Sequence, residues 1–283
     1  FSPLVNHPMQ AHAGPLHSKK EHSMTSIIST TATDAWPQQG SAEAVRSEER
    51  SERSTRPNTR HARPSFYIGR LAITDDVRRD AYRVRYRSYV AGGYIKPNSS
   101  GLFSDSYDDM PNARTIVIYD QDMPLASVRT CTLARGTDLT SPACEVFPKE
   151  IDALLAGKAD AFAGRGIETN RLVRAPEAEN NQGLVFLLFR MAAYVAICSH
   201  AQIHLACARS NHAPFYKRMG YEPASGLRPY PGLTCQMRLL ESDRGRLDAV
   251  RKSFRVIDPL GGSTGDLAGF FKGEPFTLSL AGA

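Results

Sequence analysis

The chain has 283 residues, of which 41% are hydrophobic and 23% are charged, a balance that is ordinary for a globular protein of one or two domains. No apolar run reaches the roughly 18–20 residues that a membrane span needs, and residues 1–40 lack the apolar core of a signal peptide. The net charge of +6 favours an acidic partner, whether nucleic acid, an anionic membrane surface or an acidic protein.

Residues 1–63 differ from the rest of the chain. They are rich in Ser, Thr, Pro and Arg, show little apolar periodicity, and contain five of the eight histidines. Such a segment buries too little apolar surface to offset the entropy of ordering. We therefore predict a flexible leader whose histidines are solvated.

The first predicted elements after the leader are a strand and a helix. Residues 66–72 favour a strand, and Thr74 is suited to cap a helix that runs to about Val90, with two aspartates in its first turn. Glycine- and proline-rich loop signals follow. Two apolar runs at 115–119 and 125–133, joined by a turn, then predict a hairpin.

The second half of the chain alternates helices and apolar strands and contains no repeats. A proline-rich loop comes first, and the predicted elements are a short helix at 149–155, a strand at 166–173, a long apolar helix at 183–200, a strand at 202–208, and a closing strand at 234–240.

The run 211–221 follows the buried strand at 202–208 with Asn211, a short helix carrying Tyr216, and then Gly220 before another strand. This order resembles the signature that closes the acyl-CoA-binding half of GNAT-type N-acyltransferases. There the Asn and Tyr lie beside the thioester, and the Gly ends the helix in a left-handed conformation. The resemblance implies an α/β (α+β) fold: a mixed, strongly twisted central sheet flanked by helices on both faces.

Motifs in the first half narrow the resemblance. A basic, aromatic helix at 83–90 is followed by a D-x-x-D pair, an arginine in a hairpin strand and an E-x-x-R pair. This joint pattern resembles the acyl-homoserine-lactone synthases and, more closely, their sister group, the N-acyl amino acid synthases known from soil bacteria. It implies an acyltransferase domain over 64–240, with a helical and loop extension over 241–283 packed on it.

The resemblance also implies a polar cluster that orders the N-terminal region and shapes the acceptor site. Its members are the counterparts of Arg85, Asp105, Asp108, Arg129, Glu168 and Arg171. The pattern departs from the lactone synthases where Tyr94 replaces their usual Trp and Tyr89 replaces a Phe. These departures favour an amino acid over S-adenosylmethionine as the acceptor.

Aminolysis of a thioester needs a neutral amine, a polarised carbonyl and a thiolate that can leave. Glu168 is the predicted base, acting directly or through water, since burial in mid-strand would raise its pKa. The alternative is a structural ion pair with Arg171, Arg129 or Arg85. Tyr216 is predicted to donate a proton or a hydrogen bond to the leaving sulfur, with simple packing under the sheet as the alternative. Arg171 completes the predicted catalytic set.

The predicted donor site begins at the loop 175–183. Relatives that use acetyl-CoA have a glycine-rich loop here whose amides hold a pyrophosphate at a helix N-terminus. This loop has one glycine and two acids, which repel a pyrophosphate, although the amides of Gly183 and Leu184 are still presented. We therefore expect the 4'-phosphopantetheine arm of acyl carrier protein as donor, rather than acyl-CoA, and no tightly bound cofactor.

Three further residues are predicted to contact the donor. A backbone N–H near Leu172 or Val173 is the expected oxyanion donor, because the family uses that strand edge. Asn211 is expected either to bond the pantetheine arm or to cap the next helix.

Neither metal nor cysteine chemistry is indicated. Asp105 and Asp108 lie three apart with no third ligand, which favours arginine partners over a metal. Five scattered cysteines without CxxC spacing argue against a zinc site and a disulfide framework, and indicate reduced thiols in a cytoplasmic protein. None has the histidine-paired context of a nucleophile, so we expect the amine to attack the thioester directly.

For two sets of side chains, the sequence allows either a structural or a functional role. Basic side chains could steer an acidic carrier protein to the site or simply form a solvated face: Arg78, Arg79, Lys149, Arg190, Lys217 and Arg218. Phe186, Leu187 and Phe189 could be core residues or line an acyl-chain tunnel.

The sequence thus predicts an N-acyltransferase that moves a long-chain acyl group from acyl carrier protein to the α-amine of an amino acid. One alternative is a lactone-forming autoinducer synthase that uses S-adenosylmethionine. A second is a non-catalytic GNAT-like binding module. Nucleic-acid binding is not expected, since no interleaving of basic and stacking aromatic residues stands out.

Overall fold

A computed structural model describes residues 66–157, 164–260 and 267–280 of the chain. The predicted leader, residues 1–63, and part of the predicted extension lie outside these described residues. The described elements are β1 (Phe66–Leu71), α1 (Asp75–Ala91), β2 (Ala113–Asp120), β3 (Met123–Ala134), α2 (Pro142–Val146), α3 (Pro148–Ala156), β4 (Arg165–Arg174), α4 (Gln182–Cys198), β5 (Ile203–Ala208), α5 (Ala213–Arg218), β6 (Glu222–Pro229), β7 (Gln236–Asp243), α6 (Arg244–Ser253) and β8 (Phe276–Ser279).

The strands form one eight-stranded mixed sheet in the order β6-β7-β5-β4-β3-β2-β1-β8. Among the described strands, β4 and β5 are the parallel neighbours, and the other neighbouring pairs run antiparallel. The parallel step is made by α4, which crosses from the end of β4 to the start of β5. The predicted mixed α/β fold is confirmed.

Helices cover both faces of the sheet because the central strands are apolar on both sides. On β2, Ile116 and Ile118 pack in the core beneath α4, whereas Val117 and Tyr119 pack against α1. Successive side chains of a strand point to opposite faces, so an unbroken apolar run such as 115–119 fits a strand buried on both sides. This sandwich of helix, sheet and helix fixes the position of β4, on which the site depends.

Helix α4 is apolar around most of its circumference, and its one charged side chain is buried. The guanidinium of Arg190 donates to the carbonyl oxygens of Val256 at 2.6 Å and Ser279 at 3.1 Å. Arg190 therefore ties two parts of the C-terminal segment to the core and does not belong to a basic surface rim. The other five rim candidates are at least partly exposed.

Two elements go beyond the sequence prediction. The proline-rich loop contains the short helix α2, which begins at Pro142, a residue whose fixed φ suits the first helical position. The segment after 241 ends in β8, which pairs antiparallel with β1. Gly69 of β1 makes room for it, since a Cβ there would lie 2.2 Å from the ring of Phe276.

None of the helices within the described ranges combines the length and the apolar character that a bilayer crossing requires.

Candidate active site

Strands β4 and β5 separate halfway along their length. Their parallel ladder runs from Gly166 opposite Ile203 to Thr169 opposite Ala206. Beyond that point β4 continues to Arg174 and β5 to Ala208, but within the described residues no further pair joins them. The sheet therefore has an opening between two central strands, where backbone groups can face a ligand instead of a neighbouring strand.

A β-bulge in β4 accompanies the opening. Ser127 of β3 lies opposite Val173 and Arg129 opposite Asn170, so β4 carries one extra residue across this step. Arg171 sits in the bulge with φ of 51°, a left-handed conformation that costs a non-glycine residue about 1 kcal/mol or more. Bulges bend a strand and increase its twist, which accounts for β4 leaving β5 here.

The opening leads into a cleft that passes through the sheet and holds about 110 Å³, enough for several water molecules. Its lining is mainly apolar, with a few polar groups. Val185, Phe189 and Phe215 line one side, and Tyr89, Tyr94, Leu172, Val173, Arg209, Tyr216, Leu233 and Cys235 are among the other lining residues. Leu172 and Val173 thus lie at the strand edge where an oxyanion donor was predicted.

The predicted polar cluster comes together next to the bulge. The guanidinium of Arg85 lies 2.7 Å from Asp108, and that of Arg129 lies 2.6 Å from Asp105 and 2.9 Å from Asp108. Arg171 also donates to Asp105, at 2.7 Å. These five residues, Arg85, Asp105, Asp108, Arg129 and Arg171, are called the ion network below.

The ion network fixes its own charge states. Burial alone would raise the pKa of Asp105, but the hydrogen bonds and positive charges of Arg129 and Arg171 outweigh it and lower the pKa to about 2. The carboxylate therefore stays ionised at neutral pH. The Asp105 carboxylate binds the guanidinium of Arg171, whose backbone forms the bulge. The network therefore supports the bend in β4 beside the cleft.

Glu168 lies apart from the ion network, with its side chain fully buried. One carboxylate oxygen accepts from the backbone N–H of Ala143 in α2 at 3.0 Å, and the other accepts from the Tyr230 hydroxyl at 2.9 Å. Among the described residues no arginine is within ion-pair distance of Glu168. The ion pair with Arg171, Arg129 or Arg85, considered as its structural role, is therefore wrong, and its partners are Ala143 and Tyr230. Glu168 also does not line the cleft. Tyr230 contacts both Glu168 and Arg171, and Arg171 is a lining residue.

Tyr216 lines the cleft, and within the described part of the chain its hydroxyl has no hydrogen-bond partner. The ring is packed edge-on against Phe189 and Tyr221, with centroids 5.9 and 5.5 Å apart. Burial raises the pKa of Tyr216, so the phenol is neutral and carries a proton. Its packing is thus compatible with both roles considered from the sequence, since the ring is fixed and the residue lines the cleft.

A family model described as N-acyl amino acid synthase FeeM matches residues 80–243, more than half of the chain. The chain belongs to the FeeM family of N-acyl amino acid synthases. The family resemblance inferred from the motifs is confirmed, and the protein is an N-acyltransferase rather than a non-catalytic binding module. A comparison with curated proteins found no match.

One solved structure shows the same fold, and two others match with lower TM-scores. FeeM from uncultured soil microbes superposes with a TM-score of 0.53 at 16% identity, over 66% of this chain and 94% of that chain. A CoA-dependent acyl-homoserine lactone synthase, BjaI, matches with a TM-score of 0.47 at 16% identity, over 65% and 84% of the two chains. The acyl-homoserine lactone synthase LasI matches with a TM-score of 0.46 at 14% identity, over 63% and 88%.

The loop before α4 in this FeeM-family protein is closed by its own contacts. The N–H groups of Ala178, Glu179 and Asn181 bond carbonyl oxygens within the loop, and that of Leu184 bonds the Asn181 carbonyl at 3.3 Å. A Cβ on Gly183 would lie 2.3 Å from Leu280, which packs on this turn. Of the two predicted donor-binding amides, that of Leu184 is thus engaged inside the protein, whereas the described turn shows no acceptor for that of Gly183.

The remaining predicted contact, Asn211, is exposed in a 3-10 turn that spans Ser210–His212. His212, not Asn211, is the residue that precedes α5, so the capping alternative for Asn211 is wrong. Asn211 is also not among the residues that line the cleft.

The thiol of the cleft and the acidic groups of the described residues bear on nucleophilic and metal chemistry. Cys207 lines the cleft, but burial, together with the charge of Glu168, raises its pKa well above the ordinary value of a thiol. All five cysteines are free. Among the described residues there is no group of three or more His, Cys, Asp or Glu side chains that could hold a metal ion.

Two residues beside the cleft were missed from the sequence. Tyr230 lies in the connection between β6 and β7, flanked by two prolines, and Arg209 follows directly after β5. Neither belongs to a motif or to a periodic pattern, so no sequence signal of the kind used above could have selected them.

Proposed function

We propose that the protein transfers a long-chain acyl group from the 4'-phosphopantetheine arm of acyl carrier protein to the α-amine of an amino acid. The observation that carries the proposal is the cleft between the separated ends of β4 and β5, with Tyr216 among its lining residues. A pantetheine arm is extended and narrow, and a mainly apolar cleft through the sheet suits both the arm and the start of a fatty chain.

The closed loop before α4 supports a carrier protein as donor. Coenzyme A carries a pyrophosphate that needs several free backbone amides at a helix N-terminus. Here the amides of Ala178, Glu179, Asn181 and Leu184 bond loop carbonyls, and Glu177 forms an ion pair with Arg87 at 2.6 Å across this position. A phosphopantetheine arm brings one phosphate and places smaller demands on the loop. A carrier-protein donor also goes with the cytoplasmic location expected from the sequence.

The reaction proposed is direct aminolysis. The neutral amine attacks the thioester carbonyl, the new C–N bond forms, and the C–S bond breaks. Backbone N–H groups of β4 near Leu172 and Val173 stabilise the oxyanion, because this edge has lost its β5 partner. Tyr216 gives its proton, or a hydrogen bond, to the departing sulfur. The raised pKa of the Cys207 thiol argues against an acyl-cysteine intermediate.

The proton that leaves the amine is assigned to Glu168 by way of Tyr230. Neither Glu168 nor Tyr230 lines the cleft, so the proposed path needs a bridging water between the amine and the Tyr230 hydroxyl, which bonds the Glu168 carboxylate at 2.9 Å. The Tyr230 ring lies 5.9 Å from the Arg171 guanidinium, next to the cleft wall. A tyrosine placed in this way can pass a proton inward while the carboxylate stays shielded from water.

The test is an incubation of the purified protein with acyl-carrier protein or acyl-CoA and the twenty common amino acids, followed by mass spectrometry. We expect an N-acyl amino acid, formed faster from the carrier-protein donor. S-adenosylmethionine is supplied in a parallel reaction, and an acyl-homoserine lactone as the main product would favour the autoinducer alternative. Absence of any acylated amino acid with either donor would reject the proposal.

A further inference from the structure

Arg209 is a cleft-lining cation that pairs with no carboxylate among the described residues. The other arginine in the wall, Arg171, is already bound to Asp105 through two nitrogens, at 3.1 and 2.7 Å. Arg209 is half-buried, and an anionic ligand in this largely apolar cleft would supply the counter-charge that the described residues do not. The guanidinium of Arg209 is therefore the group in the cleft wall best suited to bind an anionic part of a ligand.

Two neighbours hold the Arg209 side chain in a fixed orientation. One guanidinium nitrogen lies 2.9 Å from Nε2 of His212, and the guanidinium carbon lies 4.4 Å from the centre of the Tyr94 ring. Burial, followed by the charges of Arg209 and Arg174, lowers the pKa of His212 to about 4. The imidazole is therefore neutral at pH 7 and can accept from Arg209, which leaves further N–H groups of the guanidinium for a ligand.

The Arg209 side chain lies against a wall of the cleft that two loops form. Tyr94, with which it stacks, lies in the loop after α1, and the N–H of Thr234 bonds the Tyr94 carbonyl at 3.1 Å. These two loops form one wall, whereas Val185 and Phe189 of α4 form the opposite one. The donor arm is expected beside α4, so a ligand at Arg209 would enter from the other side.

We propose that Arg209 binds the α-carboxylate of the acceptor amino acid; this inference rests on the proposed function and specifies its substrate class. An α-amino acid differs from a simple amine by a carboxylate one carbon away from the reacting nitrogen. A planar guanidinium matches a carboxylate with two parallel hydrogen bonds and fixes its orientation. Arg209 would thus select amino acids over amines and turn the nitrogen toward the thioester.

The experiment compares the best amino acid substrate with its carboxamide, which keeps the amine and the side chain but lacks the negative charge. The measured quantity is kcat/KM for each acceptor with the same acyl donor, for the natural chain and for Arg209→Met and Arg209→Lys. We expect the natural chain to prefer the amino acid. In Arg209→Met, kcat/KM for the amino acid should fall about 10- to 100-fold, with the carboxamide changed by about twofold or less.

Arg209→Lys keeps the charge without the fork and should retain part of the preference. Arg255→Met, which changes an exposed arginine outside the cleft lining, is the matched control and should keep both rates. Thermal melting of each variant shows whether it is folded, and the ratio of the two kcat/KM values is independent of the folded fraction.

Three outcomes overturn the inference. Equal losses for amino acid and carboxamide in Arg209→Met would assign Arg209 to the phosphate of the donor or to packing. A natural chain that acylates both acceptors equally would show that the carboxylate is not bound. If the natural chain acylates no amine at all, the proposed function fails first and the inference fails with it.

Discussion

Two polar regions lie side by side in the protein, the ion network and the cleft wall, and they differ in whether their polar groups have partners. In the ion network every guanidinium is within 3 Å of a carboxylate, as in the pair formed by Arg85 and Asp108. In the cleft wall, the Tyr216 hydroxyl has no partner and Arg209 has no carboxylate among the described residues. The comparison indicates that the network's charges serve the fold, while the polar groups of the cleft remain available to a ligand.

The two regions are joined at the bulge. Arg171 belongs to the network through Asp105, and its strained backbone opens the gap beside β5. A buried ion pair is weak evidence for stability, because desolvation consumes much of the attraction. The role of the pair between Arg171 and Asp105 is to hold β4 in a bent conformation that apolar packing alone would not specify.

The largest effect expected is on activity, from Glu168→Gln. The amide still accepts from the N–H of Ala143, so packing is preserved, but the side chain can no longer take up a proton. We expect kcat/KM to fall by about 10²- to 10⁴-fold in the mass-spectrometric assay. Glu274→Gln, an exposed change, is the control. Full activity in Glu168→Gln would limit Glu168 to tethering α2 and would place the base elsewhere.

Next in size is the loss of stability from Asp105→Asn, which leaves the buried guanidinium of Arg171 without a carboxylate and that of Arg129 with Asp108 alone. We expect the free energy of unfolding to decrease by about 3 kcal/mol in chemical denaturation. Asp109→Asn changes an exposed aspartate in the same turn and should have little effect. Equal stability of the two variants would contradict the idea that the network holds the bulge.

A smaller effect is expected from Tyr216→Phe, because the ring contacts stay and only the hydroxyl is lost. We expect kcat to fall about tenfold with an unchanged melting temperature. Tyr221→Phe is a matched control, since that ring packs against Tyr216 but does not line the cleft. Equal activity of both variants would assign Tyr216 to packing alone.

The smallest effect expected is the pH dependence of stability contributed by Asp105. Its pKa in the folded protein, about 2, lies below the ordinary value of 3.8, so its contribution is fully present above the unfolded pKa and is lost as the pH falls toward 2. Between about pH 6 and pH 3 this carboxylate should account for about 1 kcal/mol of lost stability. Denaturation of the natural chain and of Asp105→Asn at both pH values measures the difference, and parallel losses would show that Asp105 is not held as described.

The fold and the ion network could be predicted because motifs along the chain carry a family resemblance, and that resemblance implies both. The D-x-x-D pair and the E-x-x-R pair identified Asp105, Asp108 and Arg171, and the structure joins all three in one network. The partners of Glu168 could not be predicted in this way. Ala143 and Tyr230 come from two distant elements, and only the folded sheet brings them to the same carboxylate.

The strand β8 was missed for a related reason. Four residues are too few for a periodic signal, and the strand forms because β1 offers an unpaired edge. Arg209 shows the limit for single residues: one arginine after a strand has no pattern, and its significance comes from Tyr94 and His212, which lie beside it in space.

The buried guanidinium of Arg190 makes the tail beyond β7 inseparable from the domain. Its two carbonyl acceptors, on Val256 and Ser279, belong to stretches on either side of residues 261–266. A shortened version ending near residue 243 would leave the positive charge of Arg190 without these two acceptors in an apolar interior. It would also remove strand β8 from the edge of β1. Attempts to trim the protein to a minimal catalytic unit should therefore stop short of this tail.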